Sequence, residues 1–203
     1  MPEGTTSIIL AGGKNLRLGR NKAFEVIKGK TIIERVYERL KPISRQIVIV
    51  TSWAQFDIEI DLQADIVADI YPDVGPLGGI FTGLTASKSD VNILAACDMP
   101  FINTELLRYM TKILGDYDAV VPRLANTLIE PLHAVYSKNC LSQIDRRIAA
   151  KQLSIHAFLT EVNVRYLEEE ESKRIDPQLL SFFNINYQAD LDKALSIAET
   201  NEA

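Results

Sequence analysis

Residues 10–22 read LAGGKNLRLGRNK, a glycine pair closing an apolar run, followed by Lys14, Arg17, Arg20 and Lys22 within nine positions. Glycine lets backbone N–H groups approach a ligand closely, and cations grouped around such a turn suit a polyphosphate. The two common phosphate-binding fingerprints do not fit. A P-loop needs GxxxxGK[ST], but five residues separate Gly13 from Gly19 and Arg20 follows. A dinucleotide turn needs GxGxxG, but Gly12 and Gly13 are adjacent, with no third glycine at the required offset. What remains is a turn offering amides, with mobile cations outside it. Arg17 can fork onto phosphate oxygens and Lys22 can act as a point charge.

A carboxylate supplies the other half of that chemistry. Asp98 closes the apolar run VNILAACD, and Pro100 biases Met99 towards an extended conformation. Mg²⁺ is hard, prefers oxygen ligands, and is usually held by one or two carboxylates plus substrate phosphates. Asn103 and Thr104 already offer caps for the helix that follows, so Asp98 is expected at a metal rather than at a helix start. His133 and His156 are too few and too far apart for zinc. His156 falls in a helical apolar pattern and reads as structural, while His133, in EPLHAVY, is a minor candidate for facing a substrate. No Ser/His/Asp or Cys/His set is present, and Cys97 reads as a small core residue.

These residues need a scaffold that brings them to one edge. TTSIILA, QIVIVTS (46–52), ADIVAD (64–69) and VNILAACD (91–98) read as strands without a wet face. Helical patterns alternate with them. TIIERVYERLK opens on the capping box Thr31/Glu34, GPLGGIFTGLTAS (75–87) is a glycine-rich turn entering a helix, and NTELLRYMTKILG (103–115) closes at Gly115. AFEVIKGK reads as an extended piece turning at Lys28-Gly29. DAVVPRL and PLHAVYS predict strands of more antiparallel character, and LSQIDRRIAAK, LSIHAFLTE and LDKALSIAETN predict helices. VRYLEEEES predicts an edge strand, with Glu168–Glu171 as a solvated turn. Alternating strands and helices predict an α/β fold: a mostly parallel sheet with helices on both sides. Ligands bind such sheets beyond the carboxyl ends of the strands. Seven of the ten glycines (12, 13, 19, 75, 78, 79, 83) lie in two stretches expected there, which suggests ligand approach rather than ordinary turns.

Composition narrows the classes. With 203 residues, 47% of them hydrophobic, the chain can bury one full core, and no linker or repeat divides it. A net charge of −5 argues against non-specific nucleic-acid binding. No apolar run approaches the roughly 20 residues that span a bilayer. MPEGTTSIILAGG lacks the pattern of a secretory signal, and Cys97 and Cys140 lack metal-ligand spacing. The expectation is a cytoplasmic protein without nucleic-acid or membrane partners.

LAGGKNLRLGRNK, GPLGGI, CDMPF, EPLHAVY and FFNIN, in this order, closely resemble the molybdenum cofactor guanylyltransferases of the nucleotidyltransferase superfamily, over about residues 7–195. The resemblance implies a single-domain, three-layer α/β/α Rossmann-like fold over 1–203, with a nucleotide half at about 1–102 and a pterin half at about 103–203. It implies transfer of GMP from GTP to the terminal phosphate of Mo-molybdopterin, with Mg²⁺ as cofactor and pyrophosphate as the leaving product. Leu10, Ala11, Gly12, Gly13, Lys22, Asp69 and Asp98 would bind GTP, with Asp98 also on the metal. Arg17, Gly19, Gly75, Gly79, Asn184 and Asn186 would line the pterin side, and Arg17, Lys22 and Asp98 would carry the catalysis. Cofactor-biosynthesis proteins and acceptor molybdoenzymes follow as partners. Relatives that use CTP typically have Gln after the metal-binding Asp, where this chain has Met99. Two positions depart from the pattern. Thr51 stands where an Asn often touches the nucleotide, and Tyr187-Gln188 replace a Thr-Pro that would start a helix well. Two other readings stay open at this level: a transferase acting with CTP or a sugar phosphate, and a non-catalytic nucleotide- or pterin-binding delivery module.

Overall fold

The computed structural model describes residues 4–12, 22–52 and 62–201. Gly13, Lys14, Arg17, Gly19 and Arg20 lie outside the described residues, as does the side chain of Lys22. The strands are β1 (Thr6–Leu10), β2 (Val26–Ile27), β3 (Lys30–Thr31), β4 (Gln46–Thr51), β5 (Asp65–Ala68), β6 (Val91–Ala96), β7 (Ala119–Arg123), β8 (His133–Ser137) and β9 (Val164–Glu168). The α-helices are α1 (Ile32–Leu40), α2 (Pro76–Ala86), α3 (Thr104–Ile113), α4 (Cys140–Ala149), α5 (Ile155–Leu159), α6 (Glu169–Lys173) and α7 (Gln188–Asn201).

Among the described residues, seven strands form one sheet in the order β5-β4-β1-β6-β8-β7-β9, and β2 and β3 form a separate hairpin. β1 is parallel to both β4 and β6, β4 to β5, and β7 to β9. β8 runs antiparallel to β6 and β7. Strand side chains alternate between faces, so Ile8 and Ile9 enter different cores. Ile9, Ile49 and Ile93 pack with Val36 of α1 and Leu106 and Met110 of α3. Ile8, Val48 and Leu94 pack with Leu77, Ile80 and Leu84 of α2 and Ile144 of α4. Each such fully buried side chain contributes about 1.5–3 kcal/mol, and the result is the expected three-layer α/β/α arrangement. β5 is the exception to the fully apolar strands. It lies at the sheet edge, with Asp65 exposed and Ile66, Val67 and Ala68 half-buried.

Local signals translate directly. Thr31 caps α1 by accepting from the Glu34 N–H, while Glu34 Oε2 accepts from the Thr31 hydroxyl at 2.7 Å and from the Thr31 N–H at 2.6 Å; these last two bonds hold the Glu34 carboxyl below its ordinary range. Asn103 caps α3, accepting from Glu105 and Leu106 N–H groups.

Three expectations need correction. Glu168–Glu171 is not a solvated turn. Glu168 pairs with Arg123, Glu169 with Lys173 in α6, and Glu171 accepts from Arg165 at 2.9 Å and Tyr109 at 2.6 Å. His156 is exposed rather than structural, because Phe158 and Leu159 form the buried face of α5. Third, part of the glycine concentration answers to packing. Gly78, Gly79 and Gly83 lie within α2, where a Cβ on Gly83 would overlap Ile8 and one on Gly79 would come within 3.2 Å of Leu10. Ile8 is fully buried and has nowhere to retreat. Gly83→Ala is therefore expected to destabilise the protein by about 1–3 kcal/mol, despite alanine's better helix propensity. Urea unfolding checks this, and an unchanged midpoint would remove the packing explanation.

Candidate functional site

The strand order reverses direction at β1, whose sheet neighbours β4 and β6 lie on either side of it. A crevice is expected beyond the carboxyl ends at that switch point, and the described candidate residues gather there. Ala11 N–H donates to the Val50 carbonyl at 2.8 Å, and Cys97 N–H donates to the Leu10 carbonyl at 3.1 Å. Leu10–Gly12 and the Asp98 turn are thus adjacent, as the sequence reading requires. β6 ends at Ala96, so Asp98 sits in the turn beyond the strand, half-buried. Gly12 is exposed, and a side chain there would meet the Ser52 backbone at 3.4 Å.

Asp69 follows β5 on the same edge, its N–H donating to the Thr51 carbonyl at 2.8 Å. Its Oδ1 accepts from Tyr71 N–H at 3.0 Å and from the Thr82 hydroxyl at 2.9 Å, pinning the loop to α2. Thr51 itself is buried and contributes to this edge through its backbone. Gly75 is exposed at the N-cap of α2 with φ 72°, a conformation that disfavours other residues. Gly79, by contrast, is buried against Leu10.

The C-terminal motif reaches the same edge. Ile185 N–H donates to the Asp98 carbonyl at 3.0 Å, and the Phe101 and Phe183 rings pack 5.9 Å apart. Ile185 is fully buried between Asn184 and Asn186, which are half-buried. Tyr187-Gln188 does not weaken the start of α7. Asp190 accepts from the Asn186 and Tyr187 N–H groups, each at 2.9 Å, and so replaces the missing Thr-Pro signal.

The sequence reading passed over Glu130. It is half-buried, and burial first, with the Asp98 charge second, pushes its carboxyl above the ordinary range. Its position immediately before Pro131, in a loop entering the same edge, was the available signal. His133 does not face open solvent. It is fully buried, edge-on to Phe182 at 5.1 Å, and burial lowers its pKa to about 4. Among the described residues no group of three or more His, Cys, Asp or Glu could hold a metal. The rim instead offers carboxylate oxygen at Asp98, a donor that fits Mg²⁺ accompanied by substrate phosphates.

The model of the MobA-like NTP transferase domain matches residues 7–165. The molybdenum cofactor guanylyltransferase of Desulfosudis oleivorans is 35% identical over 194 residues, covering 95% of each chain. A probable molybdenum cofactor guanylyltransferase of Pelotomaculum thermopropionicum is also 35% identical, covering 97% of this chain and 94% of its own. In three dimensions the chain is similar to the crystal structure of molybdopterin-guanine dinucleotide biosynthesis protein A from Archaeoglobus fulgidus, with TM-score 0.84, 30% identity, and coverage of 96% and 99%. A nucleotidyl transferase from Methanothermobacter thermautotrophicus, 17% identical with TM-score 0.73 over 98% of this chain and 100% of its own, shares the fold. With a matching family model across most of its length and relatives aligned nearly end to end, this chain belongs to the MobA-like NTP transferase family.

Proposed function

We propose that the protein transfers GMP from GTP to the terminal phosphate of Mo-molybdopterin and releases pyrophosphate. The observation that carries this reading is the convergence of Leu10–Gly12, Asp69, Asp98 and the Asn184–Asn186 segment on one edge, joined by hydrogen bonds from Cys97 and Ile185. The chain acts as one nucleotidyltransferase domain over 1–203, with GTP held by residues of about 1–102 and the pterin by residues of about 103–203.

A terminal phosphate oxygen of the pterin bonds to the α-phosphorus of GTP as the α–β bridging bond breaks. The nucleophile is already an anion, so no strong general base is needed. The obstacle is bringing two anions together, and positioning with charge neutralisation supplies most of the rate. Backbone groups of Leu10, Ala11, Gly12 and Gly13 hold the nucleotide, and Lys22 neutralises its phosphates. Asp69 has Oδ1 committed to Tyr71 and Thr82, so it reaches the guanosine through Oδ2. Arg17, Gly19, Gly75, Gly79, Asn184 and Asn186 hold the pterin, with Gly79 contributing through its backbone alone. Asp98 would hold Mg²⁺, which when bound would offset charge on the α-phosphate and the leaving group. Among the described residues no helix is long and apolar enough to cross a membrane. Cys97 and Cys140 are buried thiols outside any disulfide, which suits the reducing cytoplasm where GTP is abundant. Delivery to cofactor-biosynthesis proteins and acceptor molybdoenzymes would follow release.

A nucleotide panel with pyrophosphate release as the readout tests the assignment. GTP should be turned over at least tenfold better than CTP, ATP or UTP when Mo-molybdopterin is the acceptor. A preference for CTP would overturn it.

A further inference from the structure

The sheet has a second edge that the reaction as described does not use. At the amino ends of four adjacent strands, Gly4 precedes β1, Gln46 opens β4, Asp65 opens β5 and Lys88 precedes β6. With Lys41 and Arg45, which follow α1, these residues line a cavity of about 700 Å³. That volume falls within the roughly 300–1,000 Å³ of small-molecule sites. In a chain of net charge −5, the cavity wall carries three cations and one carboxylate. The carboxylate is already answered: Asp65 accepts from Gln46 Nε2 at 2.7 Å and lies 3.7 Å from Lys88 Nζ. Helix-end carbonyls at this edge have donors of their own. The Ser44 hydroxyl donates to the Leu40 carbonyl at 2.7 Å, and Lys138 Nζ to the Ser87 carbonyl at 2.6 Å. The Lys41 ammonium and the Arg45 guanidinium, by contrast, make no hydrogen bond or ion pair among the described residues. Both are nonetheless positioned. Lys41 Nζ lies 5.6 Å over the Tyr37 ring, a cation–π contact. Gly4, at φ 78°, leaves the Arg45 side chain its space, since a Cβ there would come within 3.0 Å of Arg45 Cδ and 3.6 Å of Nη1.

We propose that this cavity binds a phosphate group, free or carried by a small molecule, at a site separate from the transfer edge. The inference does not depend on the guanylyl reading. A phosphate monoester carries about −1.5 to −2 charge at pH 7, which matches the two unanswered cations. The Arg45 guanidinium offers its oxygens a fork of N–H donors, and the Lys41 ammonium offers a point charge. Gln46 is held at both ends of its amide, by Asp65 and by the Lys88 N–H at 2.8 Å, so the wall beside them is formed before a ligand arrives. Ile47 and Ala64 add an apolar flank for the remainder of a phosphorylated molecule.

The test titrates the ¹⁵N-labelled full chain with inorganic phosphate, ribose 5-phosphate and acetate at constant ionic strength, following backbone amide shifts. The two phosphates should move the Gly4, Arg45, Lys88 and Ser89 amides to saturation, while acetate at the same concentrations leaves them in place. Lys41→Gln with Arg45→Gln should weaken that binding about tenfold or more. Each single variant should weaken it in the same direction, and Arg45→Lys should weaken it less than Arg45→Gln. Both side chains are exposed, so the double variant should keep its melting temperature, and its pyrophosphate release should match the wild type. Tighter binding of ribose 5-phosphate assigns the site to an organic phosphate; equal or weaker binding assigns it to the phosphate group alone. Unmoved amides at the amino edge, equal movement with acetate, or an unchanged midpoint in the folded double variant overturns the proposal. Movement confined to Leu10–Gly12 and Asp98 does so too, because phosphate would then bind only at the transfer edge, and so does a fall in the double variant's turnover. A preference for CTP in the nucleotide panel would defeat the guanylyl reading and leave these shifts as they are.

Discussion

Asp98→Asn is expected to lower Mg²⁺-dependent turnover about a thousandfold while the protein stays folded. That loss corresponds to about 4 kcal/mol of transition-state stabilisation, ordinary for removing a group that holds a catalytic cation. The fold should survive because the turn is anchored by backbone groups. Cys97 N–H bonds to Leu10, and the Asp98 carbonyl, not its carboxylate, receives Ile185 N–H. The substitution is near isosteric and also relieves the charge that raises the Glu130 carboxyl. Pyrophosphate release across a Mg²⁺ titration, with a thermal melt as control, measures both halves. Turnover near the wild-type level would refute the metal role, and a collapsed melt would show that the carboxylate is structural.

The second large effect is on stability and belongs to His133. Burial lowers its pKa from 6.5 to about 4, and both ring nitrogens are buried without a hydrogen-bond partner among the described residues. A depressed folded-state pKa means the unfolded chain binds more protons between those two values. Stability is therefore complete above about pH 6.5 and is lost progressively as the pH falls towards about 4, by up to about 3 kcal/mol. The raised Glu130 carboxyl acts in the opposite sense, since its folded form binds the proton more tightly. Comparing wild type with His133→Phe cancels that contribution. Urea unfolding at pH 7.0, 6.0, 5.0 and 4.5 should show a slope in the wild type that the variant lacks. Equal slopes would mean that the imidazole finds a partner in solution.

Much of this architecture was legible because hydrophobic alternation and capping chemistry act locally. QIVIVTS and VNILAACD could only be strands buried on both faces, and Thr31 with Glu34 fixed a helix start that the structure reproduces bond for bond. What escaped depended on contacts distant in sequence. Gly78, Gly79 and Gly83 resembled a ligand-binding run until α2 was seen pressed against Ile8 and Leu10. Glu168–Glu171 resembled a solvated turn because Arg123 and Arg165, which neutralise it, come from β7 and β9. Glu130 went unnoticed because nothing in EPLHAVY reveals that β8 runs antiparallel to β6 and carries that loop to the edge where Asp98 lies. The resemblance to known guanylyltransferases bridged part of this gap, since FFNIN has no reading of its own until Ile185 is found bonded to the Asp98 turn.

The most direct test is to incubate the purified protein with GTP, Mg²⁺ and molybdenum-loaded molybdopterin and to resolve the products by mass. The account predicts a pterin species heavier by one GMP moiety and one pyrophosphate for each, both absent when Mg²⁺ is withheld. Unmodified pterin with GTP, alongside a dinucleotide when CTP is supplied, would contradict it.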